Sequence, residues 1–339
     1  MPDSAVKYTD EQMEELKKRI REIFGQASAE VKRQMDKFYA ASKKRDQKMR
    51  ADLKAGKITK ETYQDWMKGQ VFQGKWWEQR LHDITAVYVN ADQKSRDILD
   101  GVQKNVFVEA ANFTAFQIEQ DFSGAVAFNL YDRTTVTRLL KDNPQMLPEW
   151  RIDEPKDYIW NERRVQNAVT QGIIQGDAIS DIAKRLSSEL STSNEKKMAL
   201  FARTAMTGAQ NAGRVERMRQ ADAEFGIKCK KQWISCGDNR VRDSHQFLDG
   251  KIAEYDESFF DQDGRRIDFP GDPTAEPDLV YNCRCSLLYL NKHMHGDYRL
   301  SSHTLPEYEA YNEWKRQKYG KEPYEIKFNN YGPVQSRKK

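Results

Sequence analysis

The residues able to do chemistry crowd into one stretch of the chain. Cys229, Cys236, Cys283 and Cys285 are all four cysteines of the 339 residues, and His245 stands between the two pairs. Thiolate and imidazole are the ligands zinc favours, and a closed four-ligand site stabilises a small module with a modest core. Cys283-Arg284-Cys285 on a strand would direct both sulfurs to one face, because side chains alternate with a period of two. Cys236 at a turn and His245 one short helix later would complete the tetrahedron, with Cys229 as a substitute ligand. The C-x-C spacing is less usual for zinc than C-x2-C. Two other states use the same atoms: buried, inert thiols beside a hydrogen-bonded histidine, and a disulfide formed once the protein leaves a reducing compartment.

Catalysis by these residues is not expected. His245 lies near Asp238, Asp243 and Asp249, which raises a zinc-dependent hydrolase or nuclease as a minor alternative. Asp243, however, is two residues from His245, and on a helix such neighbours do not share a face. The chain holds no G-x-S-x-G elbow, no H-E-x-x-H pair and no phosphate-binding Walker loop. Arg203, Arg214, Arg240 and Arg242 fall in the same region as the three aspartates. Guanidinium forks on carboxylates give directional, bidentate links, so a polar network that locks helix to turn is the favoured reading. A contact surface for anions or DNA is the other.

The elements that must position these residues follow from periodicity. Thr9 with Gln12 resembles a capping box, and Met13, Leu16, Ile20, Phe24, Ala27, Val31, Met35 and Phe38 then make one stripe at helical spacing. Gly56 and Lys57 break it. Thr59 caps a second helical stretch carrying Tyr63, Trp66, Trp77, Leu81, Ile84, Tyr88, Ile98, Val102, Val106 and Ala110, with Gly69, Gly74 and Gly101 as expected interruptions. An aromatic stretch, Phe113 to Tyr131, leads to the punctuation at Asn143-Pro144 and Leu147-Pro148. Three helices are expected at about 157–175, 178–190 and 194–225, separated by Gly176 and by Ser191-Thr192-Ser193, with Gly226 ending the last in a left-handed conformation. Then come a strand over 227–235, a turn at 236–238, a short helix over 240–248, a turn at Asp249-Gly250, a loop over 263–278 and a closing strand over 280–290. The fold class is α+β: a long, mostly helical N-terminal part (1–150), a small α+β module (151–290) and a short tail (291–339) with one amphipathic stretch at Tyr308, Tyr311, Trp314 and Lys318.

Composition limits the partners. With 56 basic and 52 acidic residues the formal charge is only +4, so the chain as a whole does not attract nucleic acid. The one basic run, Lys43, Lys44, Arg45, Lys48, Arg50 and Lys54, lacks interleaved aromatics and reads as a solvated helix face. The start MPDSAVKYTDEQ has no apolar run, and nothing approaches the roughly 20 apolar residues of a membrane span. Folding in a cytosol, with reduced cysteines and no membrane anchor, is the expectation.

Several short strings recur in one order: Ala202-Arg203-Thr204, Asn211-Ala212-Gly213-Arg214, Trp233, Asp238-x-Arg240-x-Arg242-x-x-His245, Leu248-Asp249-Gly250, Pro270-Gly271-Asp272-Pro273 and Asn282-Cys283-Arg284-Cys285. Together, over roughly residues 165–290, they resemble the Mu F-like head-morphogenesis family of tailed bacteriophages. One departure is Ala205, where the family often carries an acid after A-R-T. The resemblance implies a minor head protein without enzymatic activity, associated with the portal, built into the procapsid, and linked to genome packaging or ejection. Its implied partners are the portal, the major capsid or scaffold protein, and double-stranded DNA. The implied location is the virion, with the host cytoplasm during assembly. A DNA-binding module contacting packaged genome is the alternative. Trp66, Trp76 and Trp77 would then offer docking anchors, although a tryptophan in its own bundle core is the plainer role. Some family members add an effector domain after this segment; here about fifty residues follow Cys285, few for an independent catalytic domain.

Overall fold

Apolar side chains three and four residues apart build the first helix, α1 (Ser4–Lys54), and Met13, Leu16, Ile20, Phe24, Ala27, Val31 and Met35 are all buried along it. The computed structural model describes residues 3–71, 74–147, 155–291 and 305–319. After α1 come α2 (Lys60–Val71), α3 (Gly74–Asp121), α4 (Arg133–Asp142), α5 (Lys156–Gln175), α6 (Ile179–Lys184) and α7 (Leu190–Phe225). The rest comprises β1 (Cys229–Ile234), α8 (Asp243–Leu248), β2 (Ile252–Glu254), β3 (Phe259–Phe260), β4 (Arg266–Ile267), α9 (Pro277–Val280), β5 (Ser286–Asn291) and α10 (Leu305–Tyr319). No described helix is long and apolar enough to cross a membrane. Contacts group the chain into two units, each drawn from separated segments. Met1–Leu16, Ile98–Glu149 and Leu200–Lys339 form one; Lys17–Asp97 and Trp150–Ala199 form the other.

The second of these units is helical throughout its described residues. Gly56, with φ +70, turns the chain after α1, and the Thr59 hydroxyl accepts the Thr62 amide at 3.1 Å to cap α2. The Tyr63 hydroxyl donates to buried Asp46 at 2.9 Å, tying α2 to α1. Gly176, with φ +75, ends α5 as expected. The break expected at Ser191-Thr192-Ser193 does not occur. Instead α6 runs through one π-helical turn, Arg185–Glu189, into α7. A π turn leaves carbonyls free for outside donors, and the Tyr88 hydroxyl takes those of Leu186 and Ser187. The three hydroxyls of the expected break are engaged: Ser191 donates to the Phe24 carbonyl, Thr192 to the Ser188 carbonyl, and Ser193 accepts from Arg164.

The other unit holds the α+β module. Gly101 lies inside α3, and in the helical unit Gly69 lies inside α2, so neither interrupts a helix despite a propensity cost of about 1 kcal/mol each. The aromatic stretch after Phe113 is likewise helical as far as Asp121, because Ala110, Phe113, Ala115, Phe116 and Ile118 are buried in one cluster with Phe128, Met218, Tyr289, Tyr311 and Trp314. α3 and α7 meet backbone to backbone at Gly213, where a Cβ would lie 2.4 Å from the Phe107 carbonyl oxygen. α7 ends at Gly226 in the expected left-handed conformation (φ +67).

A three-stranded antiparallel sheet follows, in the order β2-β1-β5, with Trp233 opposite Leu287 and Ile234 opposite Ser286. A second core cluster forms around Trp233, Leu248, Phe259, Ile267, Leu279 and Leu287. The closing strand begins only at Ser286. Residues 280–285, expected as strand, instead end α9 and make a turn in which Asn282 takes φ +58, so the Cys-x-Cys segment precedes the strand. The short helix is α8, beginning at Asp243 rather than Arg240, and β3 and β4 pair within and before the expected loop. Lys231 on β1 is almost wholly buried, donating from Nζ to the Asp268 carbonyl at 2.9 Å; its burial lowers the ammonium pKa to about 8.

Gly213→Ala is expected to lower stability by about 1–3 kcal/mol, since helix backbones must part to admit the methyl group; an unchanged thermal midpoint would refute the contact. Lys231 tests the buried ammonium. With its folded pKa below the unfolded value of about 10.4, the unfolded chain binds more protons between these limits. Stability relative to Lys231→Met should therefore rise from pH 8 to about 10.4, by up to about 3 kcal/mol, and stay level below pH 8. Denaturant melts of both proteins across that range measure it.

Candidate functional site

α7 presents polar side chains at Thr204, Thr207, Gln210, Asn211 and Arg214 amid buried Ala202, Ala205, Met206, Ala209 and Ala212. The spacing of three, four and seven places them along one face. Thr204 accepts the Asn282 amide at 3.0 Å, which holds that residue in its left-handed turn. Thr207 donates to the Cys283 carbonyl at 2.8 Å, and Gln210 to the Ser286 hydroxyl at 2.8 Å. Asn211 donates to the carbonyls of Pro270, Cys285 and Thr207 and accepts the Leu287 amide at 2.8 Å. One buried amide thus satisfies the loop, the closing segment and β5 together. The Pro270-Gly271-Asp272-Pro273 loop reaches α7 because neither chain has a side chain at the crossing: a Cβ on Gly271 (φ +83) would lie 2.5 Å from the Gly208 nitrogen.

Against this frame sits a thiol–imidazole cluster. His245 Nδ1 lies 3.5 Å from Cys283 Sγ and 3.4 Å from Cys285 Sγ, and the three ligand atoms fall within 4.8 Å of one another. All three residues are buried, and Trp233 packs edge-on against the imidazole at 5.1 Å between ring centres. The two thiols differ: the hydrogen bond from Cys285 lowers the Cys283 pKa, and the same bond, with burial, raises that of Cys285. All four cysteines are free thiols. Cys236 is exposed and lies outside the three-residue cluster, its Sγ donating to the Arg284 carbonyl at 2.9 Å. Cys229, the substitute ligand, is elsewhere, buried in the aromatic cluster with Phe113 and Tyr289 and pushed up to about 12 by burial.

The expected arginine–aspartate network exists with different pairs. Asp238 binds Arg284 through two contacts of 2.6 and 2.7 Å, which hold its carboxyl well below the usual carboxylate range, and it also meets Arg240 at 3.3 Å. Arg242 donates to the Asp278 and Tyr281 carbonyls rather than to a carboxylate. Arg214, fully buried, grips both Asp3 oxygens at 2.7 Å. Asp249 accepts the Ser235 amide at 2.9 Å, and the Gly250 amide donates to the Trp233 carbonyl at 2.8 Å. Asp243 is exposed, and Arg203 is half-buried on α7.

Thr207, Gln210 and Arg284 were missed as site residues, although the polar stripe on an otherwise apolar helix face signals the first two. Arg217 was missed as well: it is buried, donating to the Ala111 and Asn129 carbonyls and to Asn112 Oδ1, with Tyr131 under its guanidinium at 3.9 Å. Of the docking tryptophans, Trp66 is half-buried and stacked on Tyr63; the side chains of Trp76 and Trp77 lie outside the described residues.

Asn211→Ala should cost about 2–4 kcal/mol, because it leaves the Leu287 amide and two loop carbonyls buried without partners. Asn211→Asp keeps the shape but loses the donors, and should not restore stability. Equilibrium unfolding of the two variants measures this, and a near-neutral Asn211→Ala would dismiss the clamp.

Residues 163–288 match the family model described as Phage Mu protein F like protein. The chain is 26% identical over 322 residues to the minor head protein GP7 of Bacillus phage SPP1, covering 92% of this chain and 96% of that one. It is 27% identical over 154 residues to an NAD(+)–arginine ADP-ribosyltransferase EFV of Enterococcus faecalis, and 34% identical over 122 residues to an uncharacterized protein of Haemophilus influenzae. These two matches cover 45% and 36% of this chain, but only 31% and 23% of those relatives. No solved structure matches. The matched family segment contains the whole α7 clamp and the thiol–imidazole cluster, so this part of the chain is similar to Mu F-like proteins, and the chain over most of its length to a phage minor head protein.

Proposed function

We propose that this chain is a minor structural protein of a tailed-phage head, built into the procapsid in association with the portal. One observation carries the reading: the similarity to a phage minor head protein extends over nearly the full length of both chains, helical part included. The chemistry of the module supports it. The polar groups on the α7 face are spent on the backbone of the closing segment, an arrangement that holds a shape rather than presenting groups to a substrate. The first 150 residues act as the docking part, with Trp66 as an anchor and the major capsid or scaffold protein as further partners. Nothing in the basic run favours a genome-binding role. Its residues Lys43, Lys44, Arg45, Lys48, Arg50 and Lys54 are spread along an exposed helix face, and Arg50 lies 3.7 Å from Asp181.

Co-expression with the portal protein of the same phage tests the proposal. Co-elution from a sizing column is expected, and so is the protein's presence in purified heads. Absence from heads together with no co-elution would overturn it. Binding of duplex DNA that weakens steeply with salt, without portal binding, would replace it with the genome-contacting alternative.

A further inference from the structure

We propose that His245, Cys283 and Cys285 bind a structural zinc ion, with Cys236 as the fourth ligand. The spacing of the atoms is the first argument. Zinc bonds of about 2.3 Å to sulfur and about 2.0–2.1 Å to nitrogen, at tetrahedral angles, set sulfur and nitrogen about 3.6 Å apart. The two observed separations from Nδ1 are 3.5 and 3.4 Å. Hydrogen bonding does not account for both contacts at once. A neutral imidazole nitrogen carries either one proton or one lone pair, so Nδ1 serves one thiol at a time, while Cys283 Sγ also accepts the Cys285 amide at 3.3 Å. A cation held between the three atoms satisfies all of them.

Burial is the second argument. His245, Cys283 and Cys285 are 2%, 3% and 4% exposed, and the His245 Nδ1 atom and both sulfurs face one another in this buried place. Polar atoms gathered in such a place call for a shared partner. Ligation through Nδ1 leaves the proton on Nε2 and fixes the ring orientation, which the edge-on contact with Trp233 already holds.

The fourth position follows from the clamp around the cluster. Asp238 and Arg284 join the 236–238 turn to the residue between the two ligand cysteines. Cys236 Sγ is thereby seated 2.9 Å from the Arg284 carbonyl. Rotation of that side chain off the carbonyl and toward the ion completes a Cys3His set, the closed coordination of structural zinc. Arg242, which anchors to the Asp278 and Tyr281 carbonyls, and Arg284 offset the net negative charge of three thiolates on one zinc. The ion would cross-link the turn after β1, helix α8 and the segment before β5, three pieces that share only a small apolar core.

The test uses the full chain, purified with zinc present and assayed for metal, then stripped and titrated with Co(II). About one zinc per chain is expected, with thiolate-to-cobalt charge transfer and the visible bands of tetrahedral cobalt. Cys283→Ser and Cys285→Ser should each weaken binding severely. Cys236→Ser should keep the metal but lose about one third of the charge-transfer intensity, since one of three thiolates is gone. Cys229→Ser should change nothing. Helical circular dichroism confirms that each variant folds, and the wild-type spectrum stands independently of them. A wild type with neither zinc nor a cobalt–thiolate band overturns the site, as does a band that survives loss of both Cys283 and Cys285. Full intensity in Cys236→Ser overturns the four-ligand set.

Discussion

The α+β module depends on backbone groups that cannot be left unpaired. The segment 282–287 must pass from a turn into β5 against the buried face of α7, where its backbone groups need partners from the protein itself. Thr204, Thr207, Gln210 and Asn211 meet it at helical spacing and supply the missing donors and acceptors. Asn211 matters most, because its amide satisfies three separate stretches of chain at once. Lose that amide and the closing strand and the Pro-Gly-Asp-Pro loop both keep buried, unpaired polar atoms.

Close approach makes the clamp geometrically feasible. Side-chain amides and hydroxyls reach only a few ångströms, so the loop has to touch the helix backbone. Gly208 and Gly271 allow this at one crossing, as Gly213 does where α7 meets α3. The thiol–imidazole cluster inherits its position from the same frame. Thr207 holds the Cys283 carbonyl and Asn211 the Cys285 carbonyl, so both sulfurs are aimed from a backbone that α7 has already placed. The Asp238–Arg284 pair then fixes the turn that carries Cys236.

Much of the helical part was legible because burial on one side imposes a period. The α1 stripe, the Gly56 break, the Thr59 cap and the left-handed ends at Gly176 and Gly226 all follow from local residue types. The misreadings have a common cause. Ser191-Thr192-Ser193 looks like a separator between helices until Phe24, Ser188 and Arg164 occupy its hydroxyls, and Gly101 looks like a break until α3 buries it. Local propensity is worth about 1 kcal/mol per position, and tertiary partners outweigh it.

By itself, the sequence determined the resemblance to Mu F-like proteins, the α+β character and the crowding of Cys, His, Arg and Asp into one module, because these depend on residue type and order along the chain. The tertiary structure alone decided which of them meet. It separated Cys229 from His245, paired Asp238 with Arg284 and Arg214 with Asp3, and brought both Cys-x-Cys sulfurs to Nδ1 from a turn rather than a strand. It also drew each compact unit from segments far apart in sequence, with α1, α3 and α7 each contributing to both. The reason is physical: a pattern of residue types records which faces are buried, but the partner across a buried face is set by packing between segments that the linear order does not relate.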